Sequence, residues 1–155
     1  MPVFYADSSV LVKRHLPERG SAWFRTLTAP GTGNRIETAR LSLVEVISAF
    51  NRRVREGTLP AADYIAVRDD FLARCRRRNY RLVPLTAALL GRTRILLERH
   101  PLRMYDALHL ASALEVSGRL ASAGLPQLTF LAADGRLLAA ATVEGLPTDN
   151  PNNYP

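Results

Sequence analysis

The sequence predicts an α/β fold with a central, mainly parallel sheet flanked by helices. Short apolar runs rich in Val, Leu and aromatic residues alternate with longer segments of helical periodicity. The runs do not alternate between polar and apolar residues, as is typical of parallel strands covered on both faces. Acidic residues follow two of these runs. Because the strands are parallel, their carboxyl ends all face one side, where such sheets bind ligands.

The first predicted strand runs from Val3 to Ala6 and ends at Asp7, where Ser8 and Ser9 supply hydroxyls that begin a helix. The third predicted helix has apolar residues at four- and three-residue spacing, which indicates a core-facing stripe of Leu43, Ile47, Phe50 and Val54. Further strands are predicted over 35–40, 80–85 and 127–132, with an edge strand at the start of the tail 147–155. Helices are predicted over 8–16, 22–27, 42–55, 60–78, 86–100, 101–118 and 136–143.

Length and composition favour one domain that spans residues 1–155. The chain is 47% hydrophobic, which is enough for one core, and no apolar run approaches the length of a membrane span. The N-terminus lacks the pattern of a secretory leader. Cys75 is the only cysteine and has no partner for a disulfide or a thiolate metal cage. We therefore expect a cytoplasmic protein without a membrane partner.

The charge of the chain is strongly positive, with a net value of +7 and a pI near 10.5. Such a balance is typical of proteins that meet polyanions, nucleic acid above all. Lys13 is the only lysine, and a GC-rich genome also favours Arg, Ala, Gly and Pro, so both explanations stay open. The candidates for phosphate contacts are Arg52, Arg53, Arg55, Arg74, Arg76, Arg77 and Arg78. A solvated helix face is the favoured explanation for most of them.

Four acidic residues stand out because their neighbours are apolar. They are Asp7, Glu45, Asp106 and Asp134. Two follow predicted strands and two lie on predicted helices, one of them on a stripe expected to pack. Converging carboxylates repel and raise one another's pKa unless cations hold them. A cluster of acids without matching Lys or Arg therefore predicts a divalent metal site.

The ligand type narrows the predicted metal to Mg²⁺ or Mn²⁺, which take oxygen ligands. Zn²⁺ requires His or Cys at ligand spacing, and the three histidines, His15, His100 and His109, do not show it. His109 follows Asp106 by one helical turn. A lone histidine on a packed helix is more often structural, so we leave His109 out of the predicted ligands.

Each acid also has a structural alternative. Asp7 and Asp134 precede helices, where a carboxylate caps free backbone N–H groups. Glu45 alone is explained as an exposed residue of its helix. Asp106 alone is explained by an ion pair with Arg103 or Arg99. These alternatives do not explain four such residues together, so a shared metal site is favoured.

Three stretches resemble PIN-domain proteins, most of all the VapC-type ribonuclease toxins of bacterial type II toxin–antitoxin pairs. They are Tyr5–Ser9, the embedded Glu45, and Tyr105–Ala113. The likeness covers essentially the whole chain. It implies a PIN-like three-layer fold, with Asp7, Glu45, Asp106 and Asp134 as the quartet that binds Mg²⁺ or Mn²⁺. It also implies an RNA substrate, a cognate antitoxin protein and a homodimer, for which apolar faces around Trp23, Phe24, Tyr64 and Phe71 are candidates.

The predicted function is therefore a metal-dependent endoribonuclease toxin. A housekeeping PIN nuclease for RNA processing is one alternative. Ala132 occupies the place where the family usually has Thr or Ser, two residues before the last acid. That departure supports another alternative, a catalytically weakened domain that binds RNA or protein, with Ser8 as a partial substitute for the hydroxyl. A phosphohydrolase of the haloacid-dehalogenase kind requires an acid at Ser9, and a phospho-receiver requires a late Lys, so both are set aside.

Overall fold

A single sheet of five strands forms the centre of the computed structural model, which describes all residues from Met1 to Pro155. The strands are β1 (Val3–Ala6), β2 (Arg35–Ala39), β3 (Tyr80–Val83), β4 (Thr129–Leu131) and β5 (Thr148–Asp149). Their order is β3-β2-β1-β4-β5, and every neighbouring pair is parallel. The predicted mainly parallel sheet is thus confirmed and is wholly parallel.

Seven α-helices connect the strands and cover both faces of the sheet. They are α1 (Ser8–His15), α2 (Ser21–Leu27), α3 (Ser42–Arg55), α4 (Ala61–Arg76), α5 (Ala87–Arg99), α6 (Met104–Ser122) and α7 (Gly135–Val143), and a short 3₁₀ helix (Pro151–Asn153) follows β5. One core lies between the sheet and α1–α4, and the other lies between the sheet and α5–α7. This arrangement confirms the predicted three-layer fold.

The central strand β1 supplies both cores because successive side chains point to opposite faces. Val3 and Tyr5 belong to the core beneath α5–α7, whereas Ala6 belongs to the core beneath α1–α4. Burial of an aromatic or large aliphatic side chain contributes about 1.5–3 kcal/mol. A strand covered on both faces gains this contribution at every position, which explains why its sequence is uniformly apolar.

The strand order places the end of β1 at a topological switch point. The chain first builds β2 and β3 on one side of β1, and then returns to build β4 and β5 on the other. The N–H of Asp7 donates to the carbonyl of Leu131 at 3.2 Å, so the carboxyl ends of β1 and β4 lie side by side. Open α/β sheets form their ligand crevice at such a point.

Helix α6 differs most from its prediction, which began it at Pro101 and ended it at Ser117-Gly118. Residues 101–103 are not helical, and the helix runs from Met104 to Ser122, with Gly118 inside it. A glycine in a helix costs about 1 kcal/mol relative to alanine, and tertiary packing offsets this cost here because Leu120 is buried. The helix ends before Gly124, whose φ is +65°.

The core face of α3 also differs from the predicted stripe. Its buried residues are Ser42, Val46 and Phe50, while the predicted Leu43, Ile47 and Val54 are only partly buried. Ser42 can be buried because its Oγ is hydrogen-bonded to Oγ1 of Thr38 at 2.8 Å. The helix is therefore rotated toward a polar position that hydrophobic periodicity does not indicate.

The tail after β5 packs against α2. The ring of Tyr154 stacks on that of Trp23 with 4.5 Å between centroids, and Gly20 (φ +82°) has no room for a Cβ beside Pro151. Phe24 and Phe71 are fully buried in the core. The aromatic faces named as candidates for a dimer contact are thus largely occupied within the chain. None of the helices combines the length and apolarity that a bilayer crossing requires.

Candidate active site

Asp7 ends β1 and caps α1. Its Oδ1 accepts hydrogen bonds from the N–H of Val10 at 2.9 Å and from Oγ of Ser9 at 2.7 Å, so the capping role predicted as an alternative is real. The residue is only 6% exposed. Burial raises the pKa of the Asp7 carboxyl, His109 and the two hydrogen bonds lower it, and Asp106 raises it further. Asp7 is thus a buried carboxylate that no Lys or Arg neutralises.

Asp106 lies in the first turn of α6 and is half-buried. Burial raises the pKa of its carboxyl, and repulsion from Asp134 and Glu45 raises it further, against a lowering by His109 and Arg103. Of the two predicted ion-pair partners, Arg99 pairs with Glu144 at 2.7 Å instead. Arg103 acts on Asp106 through its charge but forms no ion pair with it. Asp106 therefore lies within electrostatic reach of the other acids.

Glu45 projects from the first turn of α3, and its side chain is 16% exposed. Oε1 accepts a hydrogen bond from Nε2 of His109 at 2.7 Å, and Oε2 accepts one from Oγ of Ser8 at 3.2 Å. The alternative of an exposed helix residue is therefore wrong. Ser8, which the sequence indicated as a helix start and a substitute hydroxyl, supports the Glu45 carboxylate directly.

His109 connects this carboxylate to the sheet, a role that the sequence did not predict. Its Nδ1 lies 2.9 Å from the hydroxyl of Tyr5, and the ring is buried. Burial raises the pKa of Tyr5 well above its usual range, so the phenol keeps its proton and donates to Nδ1. Nε2 then carries a proton for Glu45. The available signal was spacing: Tyr5 precedes Asp7 by two strand residues, and His109 follows Asp106 by one helical turn.

Asp134 follows β4 and caps α7. Its Oδ1 accepts a hydrogen bond from the N–H of Arg136 at 2.8 Å, and the residue is exposed. Asp134 therefore caps a helix and also lies at the candidate site, as Asp7 does. Ala132, two residues earlier, is fully buried and brings no hydroxyl.

The four carboxylates gather around the carboxyl ends of β1 and β4, but they are not a ready-made cage. No three His, Cys, Asp or Glu side chains are placed to hold a metal ion. The donor set nevertheless fits Mg²⁺ or Mn²⁺ in its chemistry, because it consists of oxygen ligands that raise one another's pKa. Both nitrogens of His109 are already engaged.

A cavity of about 660 Å³ opens beside Glu45, between α1 and α3. Its lining includes the cationic residues Lys13, Arg52 and Arg53, and also Tyr105 and Ala133. We call this cavity the catalytic-side cleft. Glu18, in the same wall, accepts a hydrogen bond from Arg53 at 2.7 Å and lies 3.5 Å from Lys13 Nζ. Of the four site acids, Glu45 alone lines the cleft, together with these cations.

The predicted phosphate-binding arginines separate into two groups. Arg52 and Arg53 line the catalytic-side cleft. Arg74 and Arg78, in contrast, line cavities beside β3, at the other side of the sheet order. Arg74 lies 3.5 Å from Asp70, as an exposed i,i+4 pair does. The basic run that contains Arg74 and Arg78 therefore lies away from the candidate active site.

The model of the PIN domain family matches residues 4–125, which include Asp7, Glu45 and Asp106. This chain belongs to the PIN domain family. No curated protein sequence matches it.

Solved structures resemble this PIN domain over nearly its whole length. A toxin–antitoxin complex from Klebsiella pneumoniae aligns at 16% identity and a TM-score of 0.59, covering 96% of this chain and 97% of that one. VapBC2 from Rickettsia felis, bound to a DNA fragment from its promoter, aligns at 13% identity and a TM-score of 0.61, covering 96% of this chain and 98% of that one. The sarcin–ricin loop cleaving toxin VapC20 of Mycobacterium tuberculosis aligns at 18% identity and a TM-score of 0.62, covering 92% of this chain and 95% of that one. Likeness at such identities establishes a shared fold.

Proposed function

We propose that this PIN domain is a Mg²⁺- or Mn²⁺-dependent endoribonuclease toxin of the cytoplasm that hydrolyses RNA phosphodiester bonds and is neutralised by a cognate antitoxin. The observation that carries the proposal is the group of carboxylates at the switch point. Asp7 and Asp106 are held in the folded chain with raised pKa values, and neither forms an ion pair with Lys or Arg. A fold maintains such repulsion where a cation relieves it.

The proposed ligands have distinct roles. Asp7 and Asp106 contact the ion directly, Glu45 contacts it directly or through water, and Asp134 holds a second, weaker ion or orients the attacking water. A bound divalent ion supplies an activated water and stabilises charge on the leaving oxygen. The chain itself prepares the ligands, since the cap bonds fix Asp7, and Ser8 and His109 fix Glu45.

The RNA substrate is proposed to lie in the catalytic-side cleft. Its wall carries Lys13, Arg52 and Arg53, and phosphate contacts from such residues position a strand without reading its bases. Tyr105, which is 50% exposed at the cleft, offers a ring on which an unpaired base can stack. These features favour single-stranded RNA as the substrate.

The proposed antitoxin and homodimer rest on the neighbouring folds and on exposed apolar residues. The Klebsiella and Rickettsia structures are complexes of toxin and antitoxin proteins. Val44, Met104 and Tyr105 are exposed near the cleft, so an antitoxin segment that covers them blocks access of RNA. Leu90 and Ile95, which are exposed on α5, support a contact between two copies.

A second candidate function is a weakened PIN domain that binds RNA or protein without efficient turnover. Ala132 favours it, because the buried residue before Asp134 supplies no hydroxyl. The open placement of the carboxylates favours it as well. Tight RNA binding without cleavage stimulated by Mg²⁺ or Mn²⁺ distinguishes this candidate from the nuclease.

The nuclease proposal is tested by RNA cleavage in the presence of Mg²⁺ or Mn²⁺. Asp7→Asn and Asp106→Asn are expected to abolish cleavage while leaving the circular dichroism spectrum unchanged, because Asn at position 7 can still cap α1. Asp63→Asn, on exposed α4, is the matched control and is expected to cleave as the wild type does. Retained cleavage in both site variants contradicts the assignment. Growth arrest on expression in a bacterial host favours the toxin over the housekeeping nuclease.

A further inference from the structure

A second cavity, of about 400 Å³, lies along the edge strand β3. Five arginines line it, and its only acid is Glu37. We call it the β3-edge groove and define it by these arginines: Arg35, Arg40, Arg78, Arg81 and Arg119. A smaller cavity of about 230 Å³ shares Arg35, Arg78 and Arg81, adds Arg74 and has no acidic lining residue. The positive surface therefore continues from one cavity to the next.

Charge in the groove is largely uncompensated. Glu37 is buried and forms its ion pair with Arg35. The other four arginines have no ion-pair partner, and their side chains make no hydrogen bond within the chain. Four exposed guanidinium groups around one cavity give it a positive potential that attracts anions. The β3-edge groove is therefore positively charged, whereas the cluster of four acids at the switch point is negatively charged.

The backbone at Arg78 gives an independent indication that its side chain is used. Arg78 is the only residue other than glycine with a positive φ, +60°. It follows α4 in a turn closed by the N–H of Asn79, which donates to the carbonyl of Arg74 at 2.9 Å. Glycine is the usual residue at this position of a helix end, because a side chain there is strained. An arginine at this position costs stability.

Protection of the sheet edge does not account for the whole groove. Charged side chains on an edge strand prevent pairing with other chains, and Arg81 can serve that purpose. Arg119, however, projects from α6, and Arg40 comes from the turn between β2 and α3. Residues of three separate segments thus converge on one cavity, as in a binding site.

The groove also borders the catalytic-side cleft along the chain. Arg40 lines the groove, and the next residue, Leu41, lines the cleft. The N–H of Arg40 donates to the carbonyl of Val83 at 2.9 Å, which fixes this turn to the end of β3. One polymer can therefore contact both cavities by passing over this turn.

We propose that the β3-edge groove binds the phosphate backbone of the same RNA strand whose scissile bond lies in the catalytic-side cleft. The inference rests on the proposed nuclease function and extends it to substrates long enough to reach both cavities. Arginine suits this role because its planar fork bonds two phosphate oxygens at once. The contacts give affinity without sequence preference.

The test measures binding of a labelled polyuridylate strand to the full chain in EDTA, where metal-dependent cleavage is suppressed. Arg81→Gln with Arg119→Gln is expected to weaken binding about tenfold and to reduce the slope of log K against log salt by about 1.4. The control, Arg92→Gln with Arg94→Gln at two exposed positions of α5, removes the same charge and is expected to change affinity less than about twofold. Equal weakening in both double variants overturns the proposal.

Arg78→Gly separates a binding role from a structural one. It is expected to raise the melting temperature, because glycine relieves the strained backbone, and to weaken polyuridylate binding severalfold. A rise in melting temperature with unchanged binding counts against the groove. If polyglutamate displaces polyuridylate as effectively as unlabelled RNA does, the surface recognises acidic protein, and the RNA proposal is wrong.

Failure of the groove and failure of the nuclease are distinguishable. Groove variants are expected to cleave a uridine dinucleotide with Mg²⁺ at the wild-type rate, because the single phosphodiester of a dinucleotide is the scissile one and leaves no phosphate for the groove. If the wild type cleaves no RNA while the groove variants still lose polyuridylate binding, the nuclease proposal fails alone. If cleavage occurs and the groove variants bind normally, the groove proposal fails alone.

Discussion

The switch point and the β3 edge both concentrate charge of one sign, yet they do so in different surroundings. Asp7 is 6% exposed and Asp106 is half-buried, so burial raises the pKa of each. Arg78 and Arg81 are exposed, and water screens their repulsion. The acidic region therefore requires a counter-ion close by, whereas the basic region is tolerable in solvent alone.

The difference indicates which kind of ligand each region favours. Desolvated carboxylates favour a small cation of high charge, because close contact repays the cost of their burial. Solvated guanidinium groups favour an extended anion that makes several exposed contacts, each sensitive to salt. A nuclease needs both kinds of site, one for the bond that breaks and one for the strand that carries it.

The largest expected effect concerns Asp106, whose charge the folded chain holds at a cost. Asp106→Asn is expected to abolish Mn²⁺-stimulated RNA cleavage and to raise the melting temperature of the metal-free protein, because repulsion with Asp134 and Glu45 disappears. At an Mn²⁺ concentration about 100 times its Kd, the wild type gains about 2.7 kcal/mol and the variant much less. Equal stabilisation of both proteins in calorimetry with Mn²⁺ contradicts a metal site at Asp106.

The next effect concerns the support of Glu45. His109→Ala removes the hydrogen bond at 2.7 Å and is expected to weaken Mn²⁺ binding about 10- to 100-fold, as loss of a residue that orients a metal ligand does. Tyr5→Phe keeps the ring and its burial but not the bond to Nδ1, so a smaller loss is expected. Isothermal titration with Mn²⁺ measures both. An unchanged Kd in His109→Ala means that Glu45 is not oriented in this way.

Lowering the pH is expected to change the stability contributed by the site acids and by His15 in opposite directions. The pKa values of Asp7 and Asp106 are raised in the folded chain, so the metal-free protein gains stability from them as pH falls through those values. Burial lowers the pKa of His15, which lies against Phe71 and Tyr80, from 6.5 to about 4. Because unfolded His15 binds a proton more readily, stability is lost as pH falls from 6.5 toward 4, by up to about 3 kcal/mol.

Denaturant unfolding across this pH range checks these opposite signs. The stability of Asp106→Asn relative to the wild type is expected to decline with acid. The stability of His15→Gln relative to the wild type is expected to rise below pH 6.5. A parallel response of the two variants contradicts the opposite signs assigned to Asp106 and His15.

The smallest effect separates capping from metal binding at Asp134. Asp134→Ala is expected to lower the free energy of unfolding by about 1 kcal/mol, because the N–H of Arg136 loses its acceptor. Asp134→Asn retains the cap and is expected to keep nearly the wild-type stability while cleavage decreases. If both variants cleave as the wild type does, Asp134 acts only as a cap.

Much of the fold was predictable because strong local signals agree with the tertiary structure. The first strand, the helix capped by Thr86 and the helix after Asp134 lie where the sequence placed them. The end of α6 was not predictable from local signals, because burial of Leu120 outweighs the cost of Gly118. The rotation of α3 depends on the hydrogen bond between Ser42 and Thr38, a contact that apolar periodicity does not report.

The candidate site was predictable in its acids and not in its connections. Asp7 and Asp134 were assigned either to helix caps or to the site, and the structure gives both residues the capping bond. The bond from His109 to Glu45 joins residues far apart in the chain, and only packing of α6 against the sheet brings them together. The division of the arginines between the cleft and the β3 edge follows from the strand order in the same way.

The sequence by itself determined the parallel α/β architecture and the identity of the unusual acids, because strand burial and helix periodicity are written in local residue patterns. The tertiary structure alone decided which charges share a surface. Electrostatic repulsion and hydrogen bonding depend on distances in space, and these are set by strand order and helix packing rather than by separation along the chain.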